Sequence, residues 1–206
     1  FENVITVPNF KHISHIPTLE NKDDNQTKFV FLSRITPPKG CDYIIEATRM
    51  LNESGLKNFS VDFYGPIDES YNINFISKVD KLPNTSYKGF LDLRNADNYN
   101  KLAEYDCLLF PTYWYGEGFP GVIVDAHIAG LSVIASDWSF NKDLISNGTT
   151  GIIIPVHNID ALAEAMKKIT LDHSLRKRMS SNSHNQAQKY DINNVLTDNL
   201  LEKLMI

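Results

Sequence analysis

Cysteine is scarce in this sequence. Only Cys41 and Cys107 occur among its 206 residues, and neither stands at a spacing typical of a metal site. Both lie in apolar or helical surroundings, which indicates reduced thiols in a cytoplasmic protein rather than a disulfide framework. His12 and His15 lack further ligands at zinc-like spacing, so they do not indicate a zinc site.

Excess positive charge and long apolar runs are missing as well. The formal net charge of -5 leaves no basic footprint, so we do not expect nucleic acid as a partner. No apolar run reaches the roughly 20 residues that span a bilayer. Apolar residues make up 42% of the chain, which is ordinary for a globular protein with a sizeable core.

Six short apolar runs are spaced along the chain, and segments with helical periodicity separate them. Several runs do not alternate with polar residues, which is typical of parallel strands buried on both faces. We therefore predict an α/β fold: one doubly wound, Rossmann-like parallel sheet of about six strands with helices on both faces, forming a single domain over residues 1–206. The predicted strands are Phe29–Ile35, Val61–Gly65, Thr85–Gly89, Cys107–Phe110, Ser132–Ser136 and Gly151–Ile154, and the clearest helices are Tyr43–Leu51 and Ile159–Ile169. The end of the chain, Ser174–Ile206, predicts two helices with a break near Tyr190 and Asp191, where Asp191 is a candidate N-cap.

Ligands of such sheets bind beyond the carboxyl ends of the strands, so the loops there are candidate binding segments. Arg34 and Lys39 follow the first strand near a helix start, where they either grip phosphate oxygens or stay as solvated cations. Gly65 follows the second strand and either allows close approach of a ligand or makes a turn. Phe90 follows the third, and it either flanks a base or belongs to the core.

The fourth loop, PTYWYGEGFPGVIVDAHIAG, combines the most suggestive residues. Glu117 stands among glycines with no obvious partner, and Pro120 suits the first turn of a helix. Asp125 comes eight residues after Glu117, between apolar neighbours that place it near a buried face with a partner of its own. The aromatic residues 113–115 form a wall for a ligand or a partner, or pack over the core.

The letters GEGFPG within this loop match the G-x-G-x-x-G fingerprint of dinucleotide-binding proteins. The context speaks against that interpretation. The fingerprint normally follows the first strand, but here it follows the fourth. Glu117 would set a negative charge against a pyrophosphate, and Pro120 would replace an N–H donor. Asp137 then reads as an acid at a strand end or as a cap for a helix near Asn141.

Four blocks in register resemble the C-terminal domain of a retaining GT-B glycosyltransferase, the large group 1 type with a Glu-x7-Glu motif. They are FVFLSRITPPKGCDYIIEA, GEGFPGVIVDA, GLSVIASD and DLISNGTTGIIIP, and the opening VITVPNF resembles the segment that enters that domain. The resemblance implies transfer of a sugar from a nucleotide-diphosphate donor to an acceptor, with retained configuration and without a metal. It also implies a setting in polysaccharide or surface glycan synthesis.

The resemblance carries roles over to particular positions. Glu117 matches the catalytic acid that holds donor-sugar hydroxyls, and Asp125 matches the second acid, which accepts from the ribose. Arg34 and Lys39 match the pair that grips the diphosphate. Two strand-end positions, Gly65 and Phe90, match those that lie near the base. Backbone groups near the helix start match those that touch sugar and phosphate, and they belong to Gly118, Phe119, Pro120, Gly121 and Val122.

Two departures from the family pattern stand out. The second acid is Asp125 rather than Glu, which shortens its reach by one methylene. The acceptor-binding N-terminal domain is absent from the chain, which begins at Phe1, so we expect a fragment that binds donor but turns over poorly. Expected partners are therefore the nucleotide-sugar, that missing domain and an acceptor glycan or lipid-linked sugar, with peripheral association of the full enzyme at the inner membrane face compatible with this setting.

Two other functions stay open at this point. A nucleotide-sugar 2-epimerase shares the GT-B fold but needs catalytic acids and a histidine spread over two domains. A non-catalytic nucleotide-binding module would instead use the aromatic residues 113–115 for a partner.

Overall fold

The strands form a single parallel sheet in a computed structural model that describes residues 9–18, 25–197 and 200. Its order is β3-β2-β1-β4-β5-β6, and each of the six predicted runs is confirmed as a strand. The sequence prediction of a doubly wound sheet is thereby confirmed. The strands are β1 Thr27–Leu32, β2 Phe59–Tyr64, β3 Thr85–Tyr87, β4 Cys107–Phe110, β5 Ser132–Ser136 and β6 Gly151–Ile154.

Helices connect the strands and flank the sheet. Both segments predicted from apolar spacing are helical, as α1 and α6. The predicted break near residue 190 separates α7 from α8, and the Asp191 carboxylate caps α8 by accepting from the Asn193 amide at 2.8 Å. The helices are α1 Cys41–Glu53, α2 Asn72–Val79, α3 Asn98–Ala103, α4 Gly121–Ile128, α5 Asn141–Leu144, α6 Ile159–Leu171, α7 His173–Ala187 and α8 Ile192–Val195. Part of the predicted last helix (198, 199, 201–206) and most of the VITVPNF block (4–8) lie outside the described residues.

Two apolar cores cover the two faces of the sheet. Phe29 and Phe31 of β1 point into the core beneath α1, α2 and α6, whereas Val30 and Leu32 point into the core beneath α3 and α4. Successive side chains of a strand face opposite sides, so a strand buried on both sides must be apolar throughout. This explains why β1 shows no alternation in the sequence.

A buried ion pair ties α7 to the amino ends of two central strands. Arg176 Nε lies 3.6 Å from Asp106 Oδ1, and the two side chains are only 5% and 4% exposed. Arg176 also donates to the Thr27 hydroxyl, while the other Asp106 oxygen accepts from the Lys28 amide. Buried charges are tolerated only when paired and hydrogen-bonded, as here, and the pair fixes the edge opposite the candidate site.

The sheet reverses its winding between β1 and β4, which is where doubly wound sheets leave a crevice. Two glycines let the loops at this edge come together. At Gly40, with φ 83°, a Cβ would lie 2.3 Å from the Pro111 carbonyl oxygen. At Gly65, with φ 140°, it would lie 1.8 Å from the Ser33 oxygen, so neither position accepts a side chain.

Candidate functional site

The loops after β1 and β4 lie side by side at the carboxyl edge of the sheet. The Tyr113 amide donates to the Pro38 carbonyl at 2.9 Å, and the Thr112 hydroxyl is within 3.5 Å of the same oxygen. These bonds join residues that are far apart in the sequence. They bring Lys39 of the first loop against Glu117 of the second.

Lys39 and Glu117 form a buried ion pair at the centre of this edge. Lys39 Nζ donates to Glu117 Oε2 at 2.6 Å, and each side chain is only 9% exposed. The Thr112 hydroxyl donates to the same oxygen at 2.9 Å, and the Trp114 ring lies 4.4 Å from the ammonium. The sequence shows no obvious partner for Glu117 because that partner, Lys39, is 78 residues away in the chain.

The loop that carries Glu117 is held from two sides. The Glu117 amide donates to the Trp114 carbonyl at 3.0 Å, and Trp138 Nε1 donates to the same carbonyl at 2.8 Å. The Ser139 hydroxyl donates to the Glu117 carbonyl at 2.7 Å. Sequence reasoning missed Thr112, Trp138 and Ser139, although Ser139 follows the end of β5 at the same edge.

The start of α4 borders the same loop. Pro120 is extended, with φ -77° and ψ 106°, and the helix begins at Gly121. The expectation that Pro120 occupies the first helical turn is thus wrong by one residue, because its backbone lies outside the helical region. No described side chain caps this end, so the amides of Gly121 and Val122 keep the unpaired N–H groups of a helix start and its partial positive charge.

Phe119 lies just before this helix start and is half-buried. Its ring centroid lies 6.3 Å from those of Phe140 and Tyr190. No described atom lies within 4 Å of the position where a Cβ of Gly118 would stand. The backbone at residue 118 is therefore open to a ligand, whereas Phe119 secures the loop to the core.

Asp125 lies on the second turn of α4 and is 6% exposed. Its Oδ1 accepts from Tyr99 Oη and from Lys11 Nζ. The prediction of a near-buried acid with a partner is confirmed, but the sequence indicated neither partner. Burial and the neighbouring Asp125 charge raise the pKa of the Tyr99 hydroxyl, which therefore stays protonated and donates.

Three further predicted residues lie at the same edge, at its periphery. Arg34 is exposed just past β1, and no described residue forms an ion pair with it. Gly65 follows β2, where its contact with Ser33 already requires a glycine. Phe90 is 65% exposed beyond β3, so it does not belong to the core.

The aromatic residues after β4 do not form one continuous wall. Trp114 packs on Lys39, and Tyr115 is 92% exposed. Tyr113 stacks on Tyr43 with centroids 5.4 Å apart and lies 4.5 Å from the His157 ring. Both the wall and the core-packing interpretation are therefore only partly right, since each aromatic has a different environment.

Asp137 lies directly after β5 and forms an ion pair with Lys142 at 2.6 Å. Its side chain does not cap α5, whose N-cap residue is Phe140. Of the two alternatives offered by the sequence, the strand-end acid is the one observed. Asp137 is 48% exposed, and its described ion-pair partner is Lys142 rather than a residue of the Lys39–Glu117 pair.

His127 is fully buried on α4. Its Nε2 lies 3.0 Å from the Leu144 carbonyl and therefore carries the proton, while Nδ1 has no described partner. Burial lowers the pKa of His127 from 6.5 to about 4. The imidazole thus stays neutral in the folded protein, which suits packing rather than proton transfer.

This pKa shift predicts a loss of stability in mild acid. Between pH 6.5 and about 4 the unfolded chain takes up a proton at His127 that the folded chain refuses, so the free energy of unfolding falls as the pH falls and the loss levels off below about 4. Urea titrations across this range should show the decline, by up to about 1.4 kcal/mol per pH unit from this residue. His127→Gln should flatten it, whereas His15→Gln, at an exposed position, should not. An unchanged slope in His127→Gln would show that His127 does not control it.

Among residues 9–18, 25–197 and 200 there is no group of three or more His, Cys, Asp or Glu side chains arranged to hold a metal ion. None of the helices within those residues has the length and apolar character needed to span a membrane.

Comparison with known proteins places this geometry in a family. The family model described as "Glycosyl transferases group 1" matches residues 15–186. The chain is 26% identical over 196 residues to an Escherichia coli UDP-Gal:alpha-D-GlcNAc-diphosphoundecaprenol alpha-1,3-galactosyltransferase. The aligned region covers 89% of the chain and 49% of this relative. It is also 27% identical over 140 residues to the Staphylococcus aureus capsular polysaccharide biosynthesis glycosyltransferase CapH, and this aligned region covers 68% of the chain and 38% of CapH.

A solved structure shares the fold over the whole chain. It is that of a variant of S. aureus TarM in complex with fondaparinux, alpha-GlcNAc-glycerol and UDP, with a TM-score of 0.78 and 20% sequence identity. The match covers 100% of this chain and 39% of TarM. The chain likewise spans less than half the length of the curated relatives that it matches, between 20% and 49%.

Proposed function

The chain belongs to the group 1 glycosyl transferases of GT-B fold, and from that premise we propose that it is the donor-binding domain of a retaining glycosyltransferase. It would bind a nucleotide-diphosphate sugar at the carboxyl edge between β1 and β4. The observation that carries this proposal is the buried Lys39–Glu117 pair at that edge. A cation and an acid with 9% exposure each are costly to bury, and a phosphate and a sugar are ligands that would use both.

The proposed diphosphate site combines two cations with a helix start. Lys39 and the exposed Arg34 lie on the loop after β1, and the unpaired amides of Gly121 and Val122 lie across from them on α4. Arg offers a fork of donors, Lys a point charge and the helix a fixed dipole, and all three favour phosphate oxygens. The open backbone at Gly118 leaves room for the ligand between them.

The sugar and the nucleoside take the neighbouring positions. Glu117 would accept from hydroxyls of the donor sugar once Lys39 turns to the diphosphate, and Asp125 would accept from the ribose. Phe90 and Gly65, at the ends of β3 and β2, would lie near the base, where the exposed ring of Phe90 is available for stacking.

The proposed chemistry follows from where charge develops. As the bond between sugar and diphosphate breaks, negative charge grows on the leaving diphosphate, and Lys39, Arg34 and the α4 start stabilise it. An acceptor hydroxyl that attacks on the same face as the leaving group gives retained configuration. This same-face attack requires no covalent nucleophile from the protein.

The acceptor and the missing half of the enzyme are part of the same proposal. The chain spans about half or less of its curated relatives, so we propose that an N-terminal domain completes the cleft and binds the acceptor glycan or lipid-linked sugar. The relatives' names mention capsular polysaccharide and a diphosphoundecaprenol substrate, which supports polysaccharide or surface glycan synthesis as the setting. We further propose that the full enzyme works at the cytoplasmic face of a membrane. UDP in the TarM complex favours a uridine donor as the first to test.

Product analysis with the full-length protein distinguishes this proposal from its two alternatives. Nucleotide-sugars are incubated with and without lipid-linked acceptors, and the products are followed by NMR. We expect a glycoside whose anomeric configuration matches the donor, formed only with acceptor. A 2-epimer released without acceptor would establish the epimerase alternative, an inverted glycoside would refute retention, and binding without any turnover would leave a non-catalytic module.

A further inference from the structure

Lys11, near the start of the chain, forms an ion pair with Asp125 on α4. Its Nζ donates to Asp125 Oδ1, which also accepts from Tyr99 Oη, so one carboxylate oxygen receives both donors. No described residue donates to Oδ2, and Oδ2 is not among the fully buried polar atoms without a partner. The carboxylate is thus held by one oxygen and keeps the other for a ligand.

The backbone around Lys11 is fixed by the region between α7 and α8. The Lys11 amide donates to the Tyr190 carbonyl at 2.9 Å, and the Lys11 carbonyl accepts from the Ile192 amide at 2.9 Å. The Ile13 amide donates to the Asp191 carboxylate at 3.1 Å. Two of these bonds are on Lys11 and one is on Ile13, and together they fix the backbone that carries the lysine against residues 190–192.

Lys11 also reaches the helix start at which the donor is proposed to bind. Its Cε lies 3.8 Å from the position of a Cβ on Gly121, and Asn9 Nδ2 is 3.4 Å from the Phe119 carbonyl. The Lys11 side chain is 32% exposed, compared with 8% for Asp125. An ammonium has three donors, so Lys11 keeps donors for a ligand while one remains on Asp125.

We infer that Lys11 is a specificity-determining residue of the donor site, which recognises the vicinal hydroxyls of the ribose together with Asp125, while Tyr99 positions the carboxylate. This inference rests on the proposed function. A vicinal diol can donate one hydroxyl to a carboxylate and accept with the other from an ammonium, and an adjacent Lys–Asp pair offers both. Because the second acid is one methylene shorter than Glu, the Lys11 ammonium would supply the contact with the second hydroxyl.

The test compares nucleotides that contain ribose with their 2′-deoxy forms, which lack one of the two vicinal hydroxyls. Dissociation constants of UDP, GDP and ADP and of their 2′-deoxy forms are measured by calorimetry for the unmodified full chain. The same titrations are run on Lys11→Met, Lys11→Arg and Tyr99→Phe, with Lys101→Met as control because Lys101 pairs with Glu104 on an exposed surface. Unfolding midpoints are recorded for every variant.

We expect the unmodified chain to bind the ribose form of its preferred nucleotide about tenfold more tightly than the deoxy form. Lys11→Met should reduce this ratio to below about threefold by weakening the ribose form alone, Tyr99→Phe should reduce it in part, and Lys11→Arg and Lys101→Met should preserve it. A ratio near one in the unmodified chain, or an unchanged ratio in Lys11→Met, would overturn the inference. So would equal weakening of both forms by Lys11→Met, which would assign the lysine to the diphosphate or to the fold. If none of the three nucleotides binds, the proposed function fails, and the inference fails with it.

Discussion

Glu117→Gln should lower kcat/KM for sugar transfer by the full-length protein by at least about 100-fold, corresponding to about 3 kcal/mol of lost transition-state stabilisation. Gln keeps the volume of Glu and an amide oxygen that can still accept from Thr112, but it loses the charge that would hold the donor sugar. The interaction is made in the reacting complex, so kcat should fall more than affinity for the nucleoside diphosphate.

Glu164→Gln is the matched control, since Glu164 is exposed on α6 and lies 3.9 Å from Lys167. It should leave kcat/KM within about twofold, as expected for a surface pair. Circular dichroism should show that both variants keep the fold. Near-normal turnover of Glu117→Gln with an intact fold would remove Glu117 from its proposed role.

Lys39→Met should weaken nucleoside diphosphate binding by about 100-fold and nucleoside binding by less than about threefold, because hydrogen bonds to charged groups contribute about 1.5 to 3 kcal/mol and only the diphosphate carries that charge. The variant also leaves the Glu117 carboxylate without its cation, next to the proposed phosphate position. Repulsion from that acid adds to the loss of the ammonium.

The double variant Lys39→Met/Glu117→Gln separates these two effects. It should recover part of the diphosphate affinity lost in Lys39→Met, a non-additivity that reports on direct coupling between the two side chains. Lys78→Met serves as control, because Lys78 pairs with Asp42 at 2.6 Å on a half-exposed surface of α1 and α2. Equal losses for nucleoside and nucleoside diphosphate in Lys39→Met would show that Lys39 does not meet the phosphates.

Most of the fold could be predicted from the sequence, because burial on both faces leaves a strong local signal. The runs FVFL and CLLF contain no charged residue, and they form the last four residues of β1 and the whole of β4 at the centre of the sheet. The order in which strands and helices alternate then predicts a parallel, doubly wound arrangement. Only the exact limits differed, as at Pro120, where one residue separates the predicted and observed helix start.

The partners within the candidate site could not be predicted in the same way. Lys39 meets Glu117 across 78 residues, and Lys11 meets Asp125 across 114. Such pairs depend on which loops the sheet order brings together, and neither loop has a period that indicates its neighbour. Residues 113–115 show the same limit, since three consecutive aromatics have three different environments that only the packing decides.

Ligand binding by the isolated chain is the most direct test of the central claim that the edge between β1 and β4 binds a nucleotide-diphosphate sugar. Thermal unfolding is followed with UDP, GDP and ADP, with their sugars and with NAD. We expect at least one nucleoside diphosphate, and its sugar, to raise the unfolding midpoint in a concentration-dependent manner, while NAD leaves it unchanged. Stabilisation by NAD alone, or by none of these ligands, would contradict the account.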